Sequence, residues 1–146
     1  MRPVAFTYSG TVAVPIADVF DLISDPTRLP EWLPGCHAVV PGSATRAKGE
    51  RHRLTVEREG RKTDIVIEII EYQPPTAYGW VEILHRRGAK TFFKLGFQGG
   101  STRITMKQVW TPAGWRAWLL GQVFRRRNAH RAFDRLLQNV RKLLTT

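Results

Sequence analysis

The chain carries one cysteine, Cys36, among 146 residues. An internal disulfide is therefore excluded, as are the cysteine-rich frameworks of small secreted domains and cysteine-based zinc modules. No stretch approaches the roughly 18 consecutive apolar residues of a membrane-spanning helix. Met1, Arg2, Pro3 and Val4 run straight into a strand pattern, without the apolar core and small-residue cleavage site of a signal peptide. Together with the lone cysteine, this predicts a cytoplasmic protein. Acidic residues are also scarce: 12 Asp and Glu face 23 Lys and Arg, for a net charge of +11. Such a surface attracts phosphates, anionic lipids or acidic partners. The excess is concentrated at the end of the chain, where residues 113–146 hold eight cations against Asp134 alone. No linker, repeat or low-complexity segment divides the sequence, so residues 1–146 are expected to form one domain.

What is present is strong periodicity. Residues 5–14, rich in Phe, Tyr, Thr and Val, read as a strand ended by Pro15. Ile16, Val19, Phe20 and Ile23 recur at helical spacing over 16–24. Asp25-Pro26 breaks that helix, because a residue before proline is pushed out of the helical region. A second short helix is expected over 27–33, capped by Asp25 or Thr27 and closed by Pro34-Gly35. Six strands follow, over 36–41, 49–59, 61–72, 78–85, 90–98 and 102–110. Gly60 and Gly99-Gly100 mark tight turns between them. From about residue 115 to 144 the spacing is again helical, with Phe133, Leu136, Leu137, Val140 and Leu144 on one stripe. The predicted class is α+β, in the order β-α-α-β6-α. A sheet with one apolar face needs a cover, and the C-terminal helix is the one element long enough.

Residues 14–32 resemble the opening signature of the START-like superfamily (SRPBCC), which includes polyketide cyclases, dehydrases and lipid-transfer proteins. In that signature an aspartate-proline, here Asp25-Pro26, joins two helices, and a tryptophan, here Trp32, ends the second. Residues 69–75 (Ile-Ile-Glu-Tyr-Gln-Pro-Pro) and 99–105 (Gly-Gly-Ser-Thr-Arg-Ile-Thr) are similar to two further family segments. The resemblance implies a helix-grip fold, a curved antiparallel sheet wrapped around the C-terminal helix, with an apolar tunnel between them. Family members bind lipids, hormones and polyketides or act as enzymes, so the fold alone leaves function open.

By strand phase, Leu54, Val56, Ile65, Ile67, Phe93, Leu95, Ile104 and Met106 should point toward the helix. They read as plain core or as the wall of a ligand cavity. Pockets are mostly apolar with a few placed polar groups. His52 and Gln108, with Glu82 as a third, would be those groups, and Trp110 follows Gln108 in phase. The 78–85 strand is apolar on both parities, so either Trp80 and Glu82 or Val81 and Ile83 face inward; Trp80 is kept in the candidate wall.

The histidines at 37, 52, 85 and 130 lack metal-ligand spacing. His52 is the candidate general acid or base, on condition that it is buried beside a carboxylate. There is no nucleophile elbow and no glycine-rich phosphate loop, so no metal or cofactor is expected. Cys36 reads as a small core residue. Glu57, Glu59, Asp64, Glu68 and Glu71 read as solvated partners of surface arginines. Trp115, Trp118 and Phe124 beside Arg125, Arg126 and Arg127 read as a capped cavity mouth, or as a surface docking on an anionic membrane. The cations accompany no recognised nucleic-acid module, which argues against a nucleic-acid partner. The preferred function is binding or transport of a small hydrophobic or amphipathic molecule in the cavity. The alternatives are a polyketide cyclase or dehydrase acting there, and a basic membrane-surface or nucleic-acid adaptor. The sequence carries no sign of the ligand's identity or of an oligomeric state.

Overall fold

The computed structural model describes residues 3–42, 46–58, 60–84, 88–111 and 126–145. The elements run β1 (Val4–Val12), α1 (Ile16–Ser24), a 3-10 turn (Pro26–Arg28), α2 (Leu29–Trp32), β2 (Cys36–Pro41), β3 (Arg51–Arg58), β4 (Arg61–Gln73), β5 (Ala77–Glu82), β6 (Lys90–Gln98), β7 (Ser101–Trp110) and α3 (Arg126–Leu144). The expected 27–33 helix divides into the 3-10 turn and the single turn of α2. Asp25 starts this segment by accepting bonds from the Thr27 amide at 3.0 Å and the Thr27 hydroxyl at 2.6 Å. It thereby satisfies a donor that the first turn leaves open.

All seven strands form one antiparallel sheet in the order β1-β7-β6-β5-β4-β3-β2. The last strand returns beside the first, so α1 and α2 bridge from one sheet edge to the other. Bulges at Cys36/Ala38 and Ile69/Glu71 interrupt the ladder. Extra residues of this kind bend and twist a strand. The concave face carries the alternating set foreseen from the sequence: Leu54, Val56, Ile65, Ile67, Phe93, Leu95, Ile104 and Met106 are all buried. The open parity of β5 resolves in favour of Tyr78, Trp80 and Glu82, which are buried while Val81 and Ile83 are half-exposed.

Helix α3 covers this face with Phe133, Leu136, Leu137 and Val140, all buried. It lies against the edge strand β1. There the Tyr8 and Phe133 rings stack at 5.9 Å, and the Arg141 guanidinium donates to the Thr11 carbonyl at 2.7 Å. Gly10 permits the approach: a Cβ there would sit 2.4 Å from Leu137 Cδ1. Asn139 ties the helix to α2 by donating to the Trp32 carbonyl at 3.2 Å. Because Leu136 is buried at the centre of this contact, Leu136→Ala is expected to cost about 2–5 kcal/mol through lost transfer energy and the void left behind. Urea denaturation followed by far-ultraviolet circular dichroism measures it.

Candidate functional site

A cavity of about 380 Å³ opens between the sheet and the start of α3. Strand β1 contributes Phe6, β3 Glu57 and Arg58, β5 Glu82, and β6 Lys90 and Thr91, with Ala89 just before that strand. Strand β7 adds Gln108, Val109 and Trp110, and α3 adds Asn128, Ala129 and Ala132. The site follows from side-chain size along the helix. Phe133, Leu136 and Leu137 fill the space against the sheet, whereas Ala129 and Ala132, one turn earlier, leave it open.

The cavity's most distinctive feature is an ion pair. Arg58 Nη1 donates to Glu82 Oε2 at 2.9 Å and Nη2 to Oε1 at 2.5 Å, a two-pronged contact. The Glu82 side chain is only 5% exposed and that of Arg58 21%. Both lie on the concave side, and the contact reaches across β4. Both backbone groups of Glu82 are bonded: its amide donates to the Ala89 carbonyl and its carbonyl accepts from the Gly88 amide, each at 2.8 Å. A guanidinium held at a cavity wall by an enclosed carboxylate, with partial access to the cavity, can orient a polar group of a bound molecule.

The candidates from the sequence divide between this cavity and the packed interior. Gln108 and Trp110 line the cavity. Leu54, Val56, Ile65, Ile67, Trp80, Phe93, Leu95, Ile104 and Met106 belong to the continuous hydrophobic core, where Trp80 and Phe93 lie 5.7 Å apart. His52 is buried as well, away from the cavity lining, and its Nδ1 accepts from the Gly42 amide at 3.1 Å. Burial pushes its pKa below the ordinary 6.5, against a smaller opposing pull from Glu50. The ring is thus held neutral with a structural partner. Cys36 is buried, donates weakly to the Ala38 carbonyl at 3.7 Å, and has its pKa pushed up by burial to about 11. That thiol is not a nucleophile at neutral pH. Glu57 pairs with His37 at 2.8 Å, Glu68 with Arg51 at 2.9 Å, and Asp64 with the Thr55 hydroxyl at 2.9 Å. No group of three His, Cys, Asp or Glu among the described residues is arranged to hold a metal.

His85, Glu59, Trp115, Trp118, Phe124 and Arg125 lie outside the described residues. Arg126 and Arg127 open α3, and Arg127 is exposed. Arg58, Phe6, Lys90, Asn128, Ala129 and Ala132 were not singled out by pattern. Arg58 nevertheless continues the His52–Leu54–Val56 phase, and Ala129 and Ala132 precede the Phe133 stripe at helical spacing.

Two substitutions separate the roles of these polar groups. Glu82→Gln leaves the Arg58 charge facing the cavity wall. It should destabilise the protein by about 2–3 kcal/mol, below the about 3–5 of a fully enclosed pair because water in the cavity reaches Arg58. Chemical denaturation at neutral pH tests this. For His52, the unfolded chain takes up a proton near pH 6.5 while the folded ring resists it. Its contribution to stability is complete above that pH and is lost as pH falls from 6.5 toward the lowered folded pKa. In His52→Asn, whose amide oxygen can still accept from Gly42, that part of the slope in unfolding free energy against pH should vanish.

No helix among the described residues is long and apolar enough to cross a membrane. No curated protein matches the chain. Solved structures do. An aromatase/cyclase, ZhuI, from Streptomyces sp. R1128 superposes with a TM-score of 0.76 at 13% identity, over 95% of this chain and 94% of that one. A START superfamily protein from Mycobacterium smegmatis gives 0.72 at 16% identity, over 97% of each chain. At such identities the likeness is one of fold, and it is the helix-grip fold described above. The family model described as "Polyketide cyclase / dehydrase and lipid transport" matches residues 3–145. The chain therefore belongs to the polyketide cyclase/dehydrase and lipid transport family.

Proposed function

We propose that the protein binds a small hydrophobic or amphipathic molecule in the cavity between the sheet and the start of α3. The observation that carries this reading is the composition of the wall. Phe6, Val109, Trp110, Ala129 and Ala132 offer apolar surface, while Arg58, Glu82, Gln108 and Asn128 gather polar groups into the same space. The volume of about 380 Å³ falls in the range of small-molecule pockets. Burial of apolar ligand surface would supply the driving force, at about 25 cal/mol per Å². The guanidinium of Arg58 and the side-chain amides of Gln108 and Asn128 would fix the orientation of the ligand's polar end. Membership of a lipid-transport and cyclase family supports a ligand of this kind.

A fluorescent amphipathic anion, 1-anilinonaphthalene-8-sulfonate, probes the cavity directly, and native mass spectrometry of freshly purified protein looks for a molecule already held. Ala132→Trp fills the space from the helix side and should weaken probe binding at least tenfold, whereas Thr7→Trp on the opposite sheet face should not. Equal binding by wild type and Ala132→Trp would sink the proposal. If the mass of a bound polyketide falls by one water during incubation, the protein acts as a dehydrase or cyclase on its ligand and not as a carrier.

A further inference from the structure

The two halves of the sheet treat charge differently. On the β3–β4 half, Glu57, Asp64 and Glu68 stand among the outward cations, and Arg51 pairs with Glu68. The β1–β7–β6 half has no acid in any strand, and residues 83–133 contain no Asp or Glu at all. Strand alternation turns Lys94, Arg103 and Lys107 outward, opposite the buried Phe93, Leu95, Ile104 and Met106. Lys94 pairs across the ladder with Thr105, so Arg103 and Lys107 occupy its two diagonals, about 7–8 Å away. All three are exposed, and they form no ion pair among the described residues. Hydroxyls intersperse them, with Ser9 and Thr105 bonded at 2.9 Å. Like charges on adjacent strands repel, so this cluster works against the fold. An anionic surface laid against it removes the repulsion.

We propose that the convex face of β1, β7 and β6 docks on an anionic lipid bilayer. Curvature selects the partner. The phosphates of a nucleic-acid duplex are fixed on a convex cylinder, and two convex surfaces meet at few points. Lipid headgroups diffuse laterally and can gather around a convex basic face. Phe92 is not available to stack on bases, because it covers Gly79, where a Cβ would lie 2.6 Å from its ring. This surface shares none of these residues with the cavity, so it stands or falls independently of the ligand.

Co-sedimentation with phosphatidylcholine vesicles, with and without phosphatidylserine, tests the docking. Wild type should bind only the phosphatidylserine vesicles and release as salt rises. Lys94→Gln/Arg103→Gln/Lys107→Gln should bind about 100-fold more weakly, from the roughly fivefold that each cation at an anionic surface contributes. The charge-matched Arg53→Gln/Arg61→Gln/Lys62→Gln on the other half of the sheet should stay within a few-fold of wild type. If the convex triple variant folds poorly, Lys94→Gln against Arg53→Gln makes the same comparison at about fivefold. The proposal is overturned by any of three results. Wild type fails to bind phosphatidylserine vesicles; both triples weaken equally, which assigns the effect to net charge; or the convex triple keeps vesicle binding but loses binding to a DNA duplex or single-stranded RNA.

Discussion

The contact between α3 and the concave face governs both stability and the site. Helix α3 shares the cover of the seven-stranded sheet with α1 and α2, whose Phe20 and Trp32 meet Tyr78 and Phe93, and its side chains change size along its length. Where Phe133, Leu136, Leu137 and Val140 face the sheet, the interior is closed and continuous with the core. Where Ala129 and Ala132 face it, a cavity remains against Phe6 and Trp110. The seating is pinned at the far end by Gly10 against Leu137 and by Arg141 on Thr11. With that end fixed, helix packing cannot slide to close the cavity, because moving the helix would pull the large side chains out of register.

The Arg58–Glu82 pair makes sense only beside that cavity. Two charges inside a dry core seldom improve on apolar packing, since desolvation offsets their attraction. Here the guanidinium keeps partial access to the cavity while the carboxylate is enclosed. The pair therefore escapes part of the desolvation cost and presents fixed donors to whatever enters. His52 illustrates the opposite outcome. It is buried on the same concave face, but its acceptor nitrogen is taken by Gly42 and its charged form is disfavoured. One inward polar group serves the fold and the other pair borders open space, although all three arise from strand alternation.

The architecture was legible because period-two and helical spacing leave a local imprint. The β3, β4, β6 and β7 faces, the break at Asp25-Pro26 and the α3 stripe each follow from neighbours within a few residues. The site was less legible for two physical reasons. First, β5 is apolar on both parities, so alternation cannot orient it; its burial, including that of Glu82, depends on Tyr78 and Trp80 meeting Phe20 and Phe93 across space. Second, Arg58 meets Glu82 across an intervening strand, through the curvature of the sheet. Pairing rules for adjacent strands contain no such contact. Strand phase marks which residues face inward but carries no information on which of them lie under large helix residues and which under small ones. Of the candidate wall, Gln108 and Trp110 border the cavity, together with Glu82, the third polar candidate.

Charge obeys a different logic from packing, because the outward positions that carry it are almost absent from the core. Both halves of the sheet use the same outward alternation, yet one half carries acids among its cations, with Arg51 paired to Glu68, and the other has no carboxylate in its strands. A net charge of +11 on a chain of this size opposes compaction through self-repulsion. Scattering acids evenly over the strands would have relieved that repulsion without disturbing a single buried residue, because the outward positions carry almost none of the core. The acid-free half is therefore not required by the packing of the interior, and its charge can be changed separately from the residues that shape the cavity.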